Sequence, residues 1–421
     1  MQKNRVLRQV ALAVWVAVIS PNVYGQEADK DTLEHREKIY GDYTPENFDD
    51  GGPISHYVWK NFPAFFPHDT IARTTPERTL TSAIRPDIAA FTIKHSDTEK
   101  PLDTYVQTSP LIDGMIILAD GKIVYETYPR MQSHQRHITW SVSKVFISTA
   151  LAALEHQGKI DMDAAVETYV PELKRTDWAD ISVRNIINMA SGMACLDSDG
   201  YQDTNTCIYR YEESLGLTAP TNEPMSSLDV IRSIRRYRTA NTKYEYASPN
   251  TYVASLVIEN ITQQPLAIAL QNLLWANIGA EADGMMMISP KGKAAAHGGI
   301  SARLRDIARF GQIFTNPANA IVGMNHLTDL RSTNGIAFSP EQVFRLNKIF
   351  TDDVPSHAAW QWDMIWPDGA MFKGGYSGQG LFIDPDKGVV IAFFGTASLE
   401  GKSNELLPIA RQLTQAGLFD K

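Results

Sequence analysis

Ser141 and Lys144 stand three residues apart at the head of an apolar run that continues through Val145-Phe146-Ile147 and Ala150 to Leu154. Residues at that spacing on a helix share a face, so the serine oxygen and the lysine nitrogen can meet. From Val142 onward the pattern is apolar almost all round, as in a helix buried inside a domain, and Gly158 supplies its stop. A lysine in that setting is desolvated, and the positive end of the helix dipole adds to the pressure against its ammonium form. A neutral amine can take the serine proton, which would make Ser141 a nucleophile and Lys144 its base. Such a tetrad arises by chance roughly once or twice in a chain of this length. The pair therefore draws its weight from two later segments.

The first is Tyr244-Glu245-Tyr246-Ala247-Ser248-Pro249-Asn250, polar where a loop would be and just ahead of a helical pattern. Tyr246 could share a proton with the Ser141/Lys144 pair and pass it to a leaving group, with Ser248 as a substrate contact. A phenolate would be favoured there whenever Lys144 carries charge. The ordinary alternative is a partly buried tyrosine with a satisfied hydroxyl. The second is Lys373-Gly374-Gly375-Tyr376-Ser377-Gly378-Gln379-Gly380, which runs into the apolar Leu381-Phe382-Ile383. A phosphate-cradling loop leads into a helix, and this one leads into a strand, which argues against nucleotide binding. Gln379 stands where a nucleophile elbow has its last glycine. Glycines beside a strand admit a close ligand, so Lys373, Gly374 and Gly375 are candidate substrate contacts, and the Tyr376 amide could complete an oxyanion hole with that of Ser141. The alternative is a strand with glycines at a bend.

Elements must bring these pieces together from distant parts of the chain. Gly114 to Leu118, a turn at Asp120-Gly121, and Lys122 to Tyr128 read as a β-hairpin. Helical patterns follow over Val183 to Met189, Leu228 to Arg238, Tyr252 to Ile261, Leu266 to Ile278 and Ala302 to Phe314. Met371 to Gly375, Gly380 to Ile383 and Val389 to Phe394 read as strands, and Asn404 to Gln415 as a closing helix. Strands near both ends with helices between imply an α+β domain: one sheet, flanking helices, and a helical lobe inserted over about residues 170–290. The expected division is 1–25 as a leader, 26–105 as an N-terminal extension and 106–421 as the hydrolase domain. Trp59, Phe62, Phe65 and Phe66 predict that the extension packs on the body.

A net charge of −9 without a basic cluster argues against nucleic acid as a partner. Lys3, Arg5 and Arg8, an apolar stretch from Val10 to Ile19, and Val23-Tyr24-Gly25 form the pattern of an export signal cleaved before Gln26. The stretch is short for a stable membrane anchor. A periplasmic or secreted location follows, and in that compartment Cys195 and Cys207 would form a disulfide, with Tyr201 in the loop between them as a further possible substrate contact. His134 and His137 lack a third ligand nearby and read as an ordinary polar loop. No metal and no cofactor is expected.

Ser141-Val142-Ser143-Lys144, Tyr246-Ala247-Ser248 and Lys373-Gly374-Gly375 follow one another in the order seen in the serine β-lactamase and penicillin-binding superfamily, which this chain resembles from about Ile112 to Leu413. Asn188 to Met193 and Ser301 to Gly311 also look like family segments. Within the superfamily the chain is most similar to 6-aminohexanoate-dimer hydrolases and related esterases. The resemblance implies a β-lactamase-like fold with an antiparallel sheet. It implies Ser141 as nucleophile, Lys144 as base, Tyr246 as proton relay, and the Ser141 and Tyr376 amides as oxyanion donors. Small amides, peptides or carboxylic esters would be the substrates. Gly374 and Ser248 depart from the residues usual in penicillin-recognising enzymes, which weakens a β-lactamase or D-Ala peptidase reading. A silent ligand-binding homologue is the rival of another class.

Overall fold

The predicted hairpin forms: strands Ile112–Ala119 and Lys122–Thr127 pair antiparallel across Asp120-Gly121, whose φ angles of 46° and 77° suit a tight turn between twisted strands. The computed structural model describes residues 32–95, 98–222, 224–315, 321–332 and 335–420, so the expected leader lies outside the described residues. Ile112–Ala119 also pairs with Val389–Gly395, placing Ile117 opposite Ile391. Gln379–Asp384, Met371–Gly375, Trp362–Ile365, His357–Ala359 and Ile336–Ala337 extend the sheet in that order to eight antiparallel strands.

Both faces of the sheet are covered. Ile116, Leu118, Val390, Ala392 and Phe394 point into one core with Phe146, Ile307 and Phe310. Met115, Ile117, Val389, Ile391 and Phe393 point into a second core with Leu406, Ile409 and Leu413 of the closing helix Leu406–Gln415. Alternate residues thus serve opposite faces, and burial on both makes each strand read as an unbroken apolar run.

The helix Ser143–His156 ends at Gly158, which takes φ 67° while the Lys159 amide donates back to Leu154. Phe146 on it stacks on Phe310 of helix Leu304–Gly311 with ring centres 3.8 Å apart. Four predicted helices are shorter than their sequence patterns, the closing one by only the two residues before Leu406. Leu228 to Arg238 is helical only over Ser227–Ser233, because Asp177 accepts the Arg236 amide at 2.9 Å and draws the chain into an extended path. Ala302 to Phe314 begins with a strand, Ile300–Arg303, in which Ala302 pairs with His137. Val183 to Met189 stops at Ile187, and Met189 turns to φ 55°.

A second, four-stranded sheet carries the site's neighbours, in the order His68–Ile71, Gly284–Met287, Ile300–Arg303, Arg136–Ile138. Its outer strand comes from the N-terminal segment. Trp59 and Phe62 of that segment are buried, and Phe65 and Phe66 pack against the same core, as their aromatic content predicts.

His137 does not sit in a polar loop. It lies in strand Arg136–Ile138, fully buried, because Asp113 supplies a partner the sequence spacing does not reveal. Its Nε2 is 3.3 Å from Asp113 Oδ2, which also accepts from Thr396 Oγ1 at 2.6 Å. His56 Nε2 stands 3.0 Å and the Arg130 guanidinium 3.4 Å from Oδ1. Burial alone would raise the Asp113 carboxyl; His56, His137 and Arg130 reverse this and hold it well below the usual range. Removing one member of a buried charge network strands the others. Asp113→Ala is therefore expected to destabilise the fold by about 3 kcal/mol, read as a lower urea midpoint at unchanged m-value.

Candidate active site

Trp140–Val142 is a single tight turn leading into helix Ser143–His156, and it holds Ser141 half-buried at the cleft. The turn is pinned from below. Ile300 donates its amide to Ser143 Oγ at 3.0 Å, and Thr139 Oγ1 bridges Ser143 Oγ at 2.9 Å and the Ile300 carbonyl at 3.0 Å. One turn on, Lys144 is 0% exposed, and its Nζ lies 3.0 Å from Ser141 Oγ and 2.9 Å from the His297 carbonyl. Burial lowers the Lys144 ammonium to about 7, helped by Lys373 and opposed by Asp197, Asp363 and Glu212. With Nζ neutral, one N–H serves His297 and the lone pair is free for the Ser141 proton.

Tyr246 precedes helix Ser248–Thr262 and lies between the two lysines, with Lys144 Nζ 4.9 Å and Lys373 Nζ 4.6 Å from its ring centre. Lys373 Nζ also donates to the phenol oxygen at 3.0 Å. Burial, then Asp363 and Asp197, push the Tyr246 phenol well above its ordinary range, against a hydrogen bond with Ser141. The phenolate expected beside a charged Lys144 is thereby disfavoured, and the group stays a proton donor.

Lys373 and Gly374 belong to strand Met371–Gly375, whose end presses on the turn that carries Ser141. A Cβ on Gly375 would stand 2.5 Å from the Thr139 carbonyl, so only glycine allows this approach. A cleft of about 500 Å³ opens above, lined by Ser141, Tyr246, Tyr201, Gly374 and Tyr376 among the predicted residues. Ser248, expected to touch substrate, is buried, and its hydroxyl is committed to Asp197. Lys373 too is buried rather than on the lining. Cys195 and Cys207 are bonded, at 2.02 Å.

Two carboxylates that sequence reading missed organise these parts. Asp197, in the disulfide loop, accepts the Ser248 amide at 2.6 Å, the Ser248 hydroxyl at 2.7 Å and the Tyr201 hydroxyl at 2.5 Å. It therefore sits at the N-terminus of the helix that follows Tyr246, where a negative charge is stabilised. Asp363 accepts from Lys373 Nζ at 2.6 Å and from the Gly374 amide at 3.0 Å. A lone acid in the otherwise apolar Trp362-Asp363-Met364-Ile365 was the available signal for it. Among the described residues no group of three or more side chains could hold a metal, and no single helix is long and apolar enough to cross a membrane.

A profile of the Beta-lactamase family matches residues 111–416. The chain belongs to the Beta-lactamase family. Within it, the 6-aminohexanoate-dimer hydrolase of Paenarthrobacter ureafaciens is 24% identical over 347 residues, spanning 80% of this chain and 84% of that protein. A Bacillus anthracis protein provisionally described as a 6-aminohexanoate-dimer hydrolase superposes with a TM-score of 0.76 at 19% identity, covering 90% of this chain and 99% of its own. A D-stereospecific amidohydrolase from Streptomyces gives 0.53 at 18% identity, over 74% and 95% of the two chains. These likenesses establish the β-lactamase-like α+β fold.

The electrostatics set a pH dependence. If neutral Lys144 is the base, kcat/KM for an activated ester rises with pH through about 7 and then levels. Asp197→Asn removes a charge that favours the ammonium, so the rising limb moves to lower pH. A pH–rate profile checks this, and a limb unmoved by the substitution would dissociate it from Lys144.

Proposed function

We propose that the protein is a serine hydrolase of the Ser-x-x-Lys type that cleaves short amides, peptides or carboxylic esters through an acyl-enzyme. The observation that carries this reading is the 3.0 Å approach of a buried Lys144 Nζ to Ser141 Oγ. Lys144 takes the hydroxyl proton as Oγ attacks the carbonyl carbon. The amides of Ser141 and Tyr376 receive the developing oxyanion. Tyr246 gives its proton to the departing nitrogen or oxygen and is reprotonated through the lysines on either side of it. Water then attacks the acyl-enzyme along the reverse proton path, which releases the acid and restores Ser141. Tyr201 and Gly374 border the substrate, and Ser248 and Gly375 shape the wall behind it.

The names of the similar proteins, a 6-aminohexanoate-dimer hydrolase and a D-stereospecific amidohydrolase, favour this chemistry over a silent binding role. We further place the hydrolase domain at residues 106–421, with a helical lobe over about 170–290, an extension over 26–105 and a cleaved leader over 1–25. A periplasmic or secreted location accords with the Cys195–Cys207 disulfide.

The test treats the mature protein and Ser141→Ala with a fluorophosphonate probe, short amide and ester substrates, and nitrocefin. Labelling and turnover are expected in the parent and a loss of roughly 10³-fold or more in the variant. Dominant nitrocefin cleavage would favour a β-lactamase, and binding without turnover a sensor.

A further inference from the structure

An unpaired ammonium beside the nucleophile would draw substrates that carry a carboxylate, and Lys373 is placed to be such a group. Its charge is already committed. Lys373 has no exposed surface, and its Nζ donates to Asp363 Oδ1 at 2.6 Å and to the Tyr246 oxygen at 3.0 Å. Asp363 is the partner that meets the cleft: its side chain is 21% exposed and lies on the same lining as Ser141. Its second oxygen accepts the Gly374 amide at 3.0 Å. Asp363 is thus fixed in place on the cleft that Ser141 also lines.

The rest of the lining gives an incoming anion little help. Its other charged groups are Asp197, saturated by three donors of its own chain, and Arg345, which is exposed at the rim and paired with Glu341. Phe338, Leu346 and Met364 make the wall beside Asp363 apolar.

We propose that Asp363 determines specificity: by neutralising Lys373 and showing its own carboxylate to the cleft, it rejects substrates with a carboxylate near the scissile bond and admits neutral ones with apolar acyl chains. This rests on the hydrolase reading above. A like charge brought beside a fixed, partly desolvated carboxylate is disfavoured, and specificity built on such repulsion is lost when the charge is removed.

The experiment compares p-nitrophenyl butyrate with p-nitrophenyl monosuccinate, equal in chain length and differing by one carboxylate. In the parent protein kcat/KM for the butyrate is expected to exceed that for the monosuccinate by about 100-fold. Asp363→Asn should narrow that ratio at least about tenfold, chiefly through KM for the monosuccinate, while Asp363→Glu keeps it. A parent ratio near one overturns the proposal whether or not the variants fold. So does a ratio that Asp363→Asn leaves intact. Fluorophosphonate labelling runs in parallel: a parent that neither labels nor hydrolyses the butyrate refutes the hydrolase reading, whereas labelling and butyrate turnover without charge discrimination refute only the role given to Asp363.

Discussion

The site depends on holding one amine uncharged against one hydroxyl, and the fold bears a cost for it. In the unfolded chain a lysine keeps its proton up to about pH 10, whereas in the folded protein Lys144 releases it near 7. Between those values the unfolded chain binds the extra proton, so this group destabilises the fold at neutral pH, and the loss is recovered as pH rises toward the unfolded value. At pH 7 the penalty is on the order of 4 kcal/mol. It is offset within the same helix, where Val145, Phe146, Ile147, Leu151 and Leu154 are all buried. Each such side chain contributes roughly 1.5 to 3 kcal/mol on leaving water. The proposed base is therefore carried by a helix whose buried apolar side chains absorb its cost.

Burial sets most of the shift at Lys144, and the neighbouring charges trim it. Lys373 lowers Lys144 further, and Asp197, Asp363 and Glu212 raise it. Two of those acids are also the clamps of the site. Asp197 joins the disulfide loop to the segment bearing Tyr246, and Asp363 joins strand Trp362–Ile365 to Lys373 and Gly374. The groups that fix the geometry are the ones that trim the pKa, so a displacement of either acid changes position and basicity together. His297 adds a purely geometric restraint: Glu212 at 3.0 Å and the Tyr211 hydroxyl at 3.0 Å hold its ring, and its carbonyl aims Lys144.

What was legible in the sequence followed from local pattern. The helix bearing Lys144, the hairpin at Asp120-Gly121 and the strands around Lys373 each carry their periodicity in consecutive residues, and all formed with ends within a few positions of expectation. Ser141, Lys144 and Tyr246 were readable because their spacing or order is itself the signal. Asp197, Asp363, Asp113 and the carbonyl of His297 were not, since each acts through a partner far along the chain: Asp113 meets Thr396, and Lys144 meets His297. The shortened helix at Ser227–Ser233 fails in the same way, its pattern overruled by Asp177 from another segment. Ser248 shows the limit from the other side, for a hydroxyl in a catalytic motif can face inward to a carboxylate as readily as outward to a ligand.

The N-terminal segment, which lies ahead of the family match at residues 111–416, belongs to this same constraint. Trp140, the residue before Ser141, has φ 46°, a left-handed conformation that a bulky side chain adopts only when its surroundings over-determine it, at a cost of about 1 kcal/mol or more. The surroundings are rings: Phe48 at 5.7 Å and Trp59 at 5.5 Å, both from that segment, and Tyr376 at 5.8 Å. Tyr376 in turn donates its hydroxyl to the Asp49 carbonyl at 3.0 Å. The Asp49 carboxyl is itself pushed up to about 7 by burial and by Glu212, the acid that holds His297. A stretch with no readable periodicity thus clasps the turn that carries Ser141 on one side and the proposed oxyanion residue on the other. Its aromatic rings hold Trp140 from one side, while Thr139, Ser143 and Ile300 pin the same turn from the other.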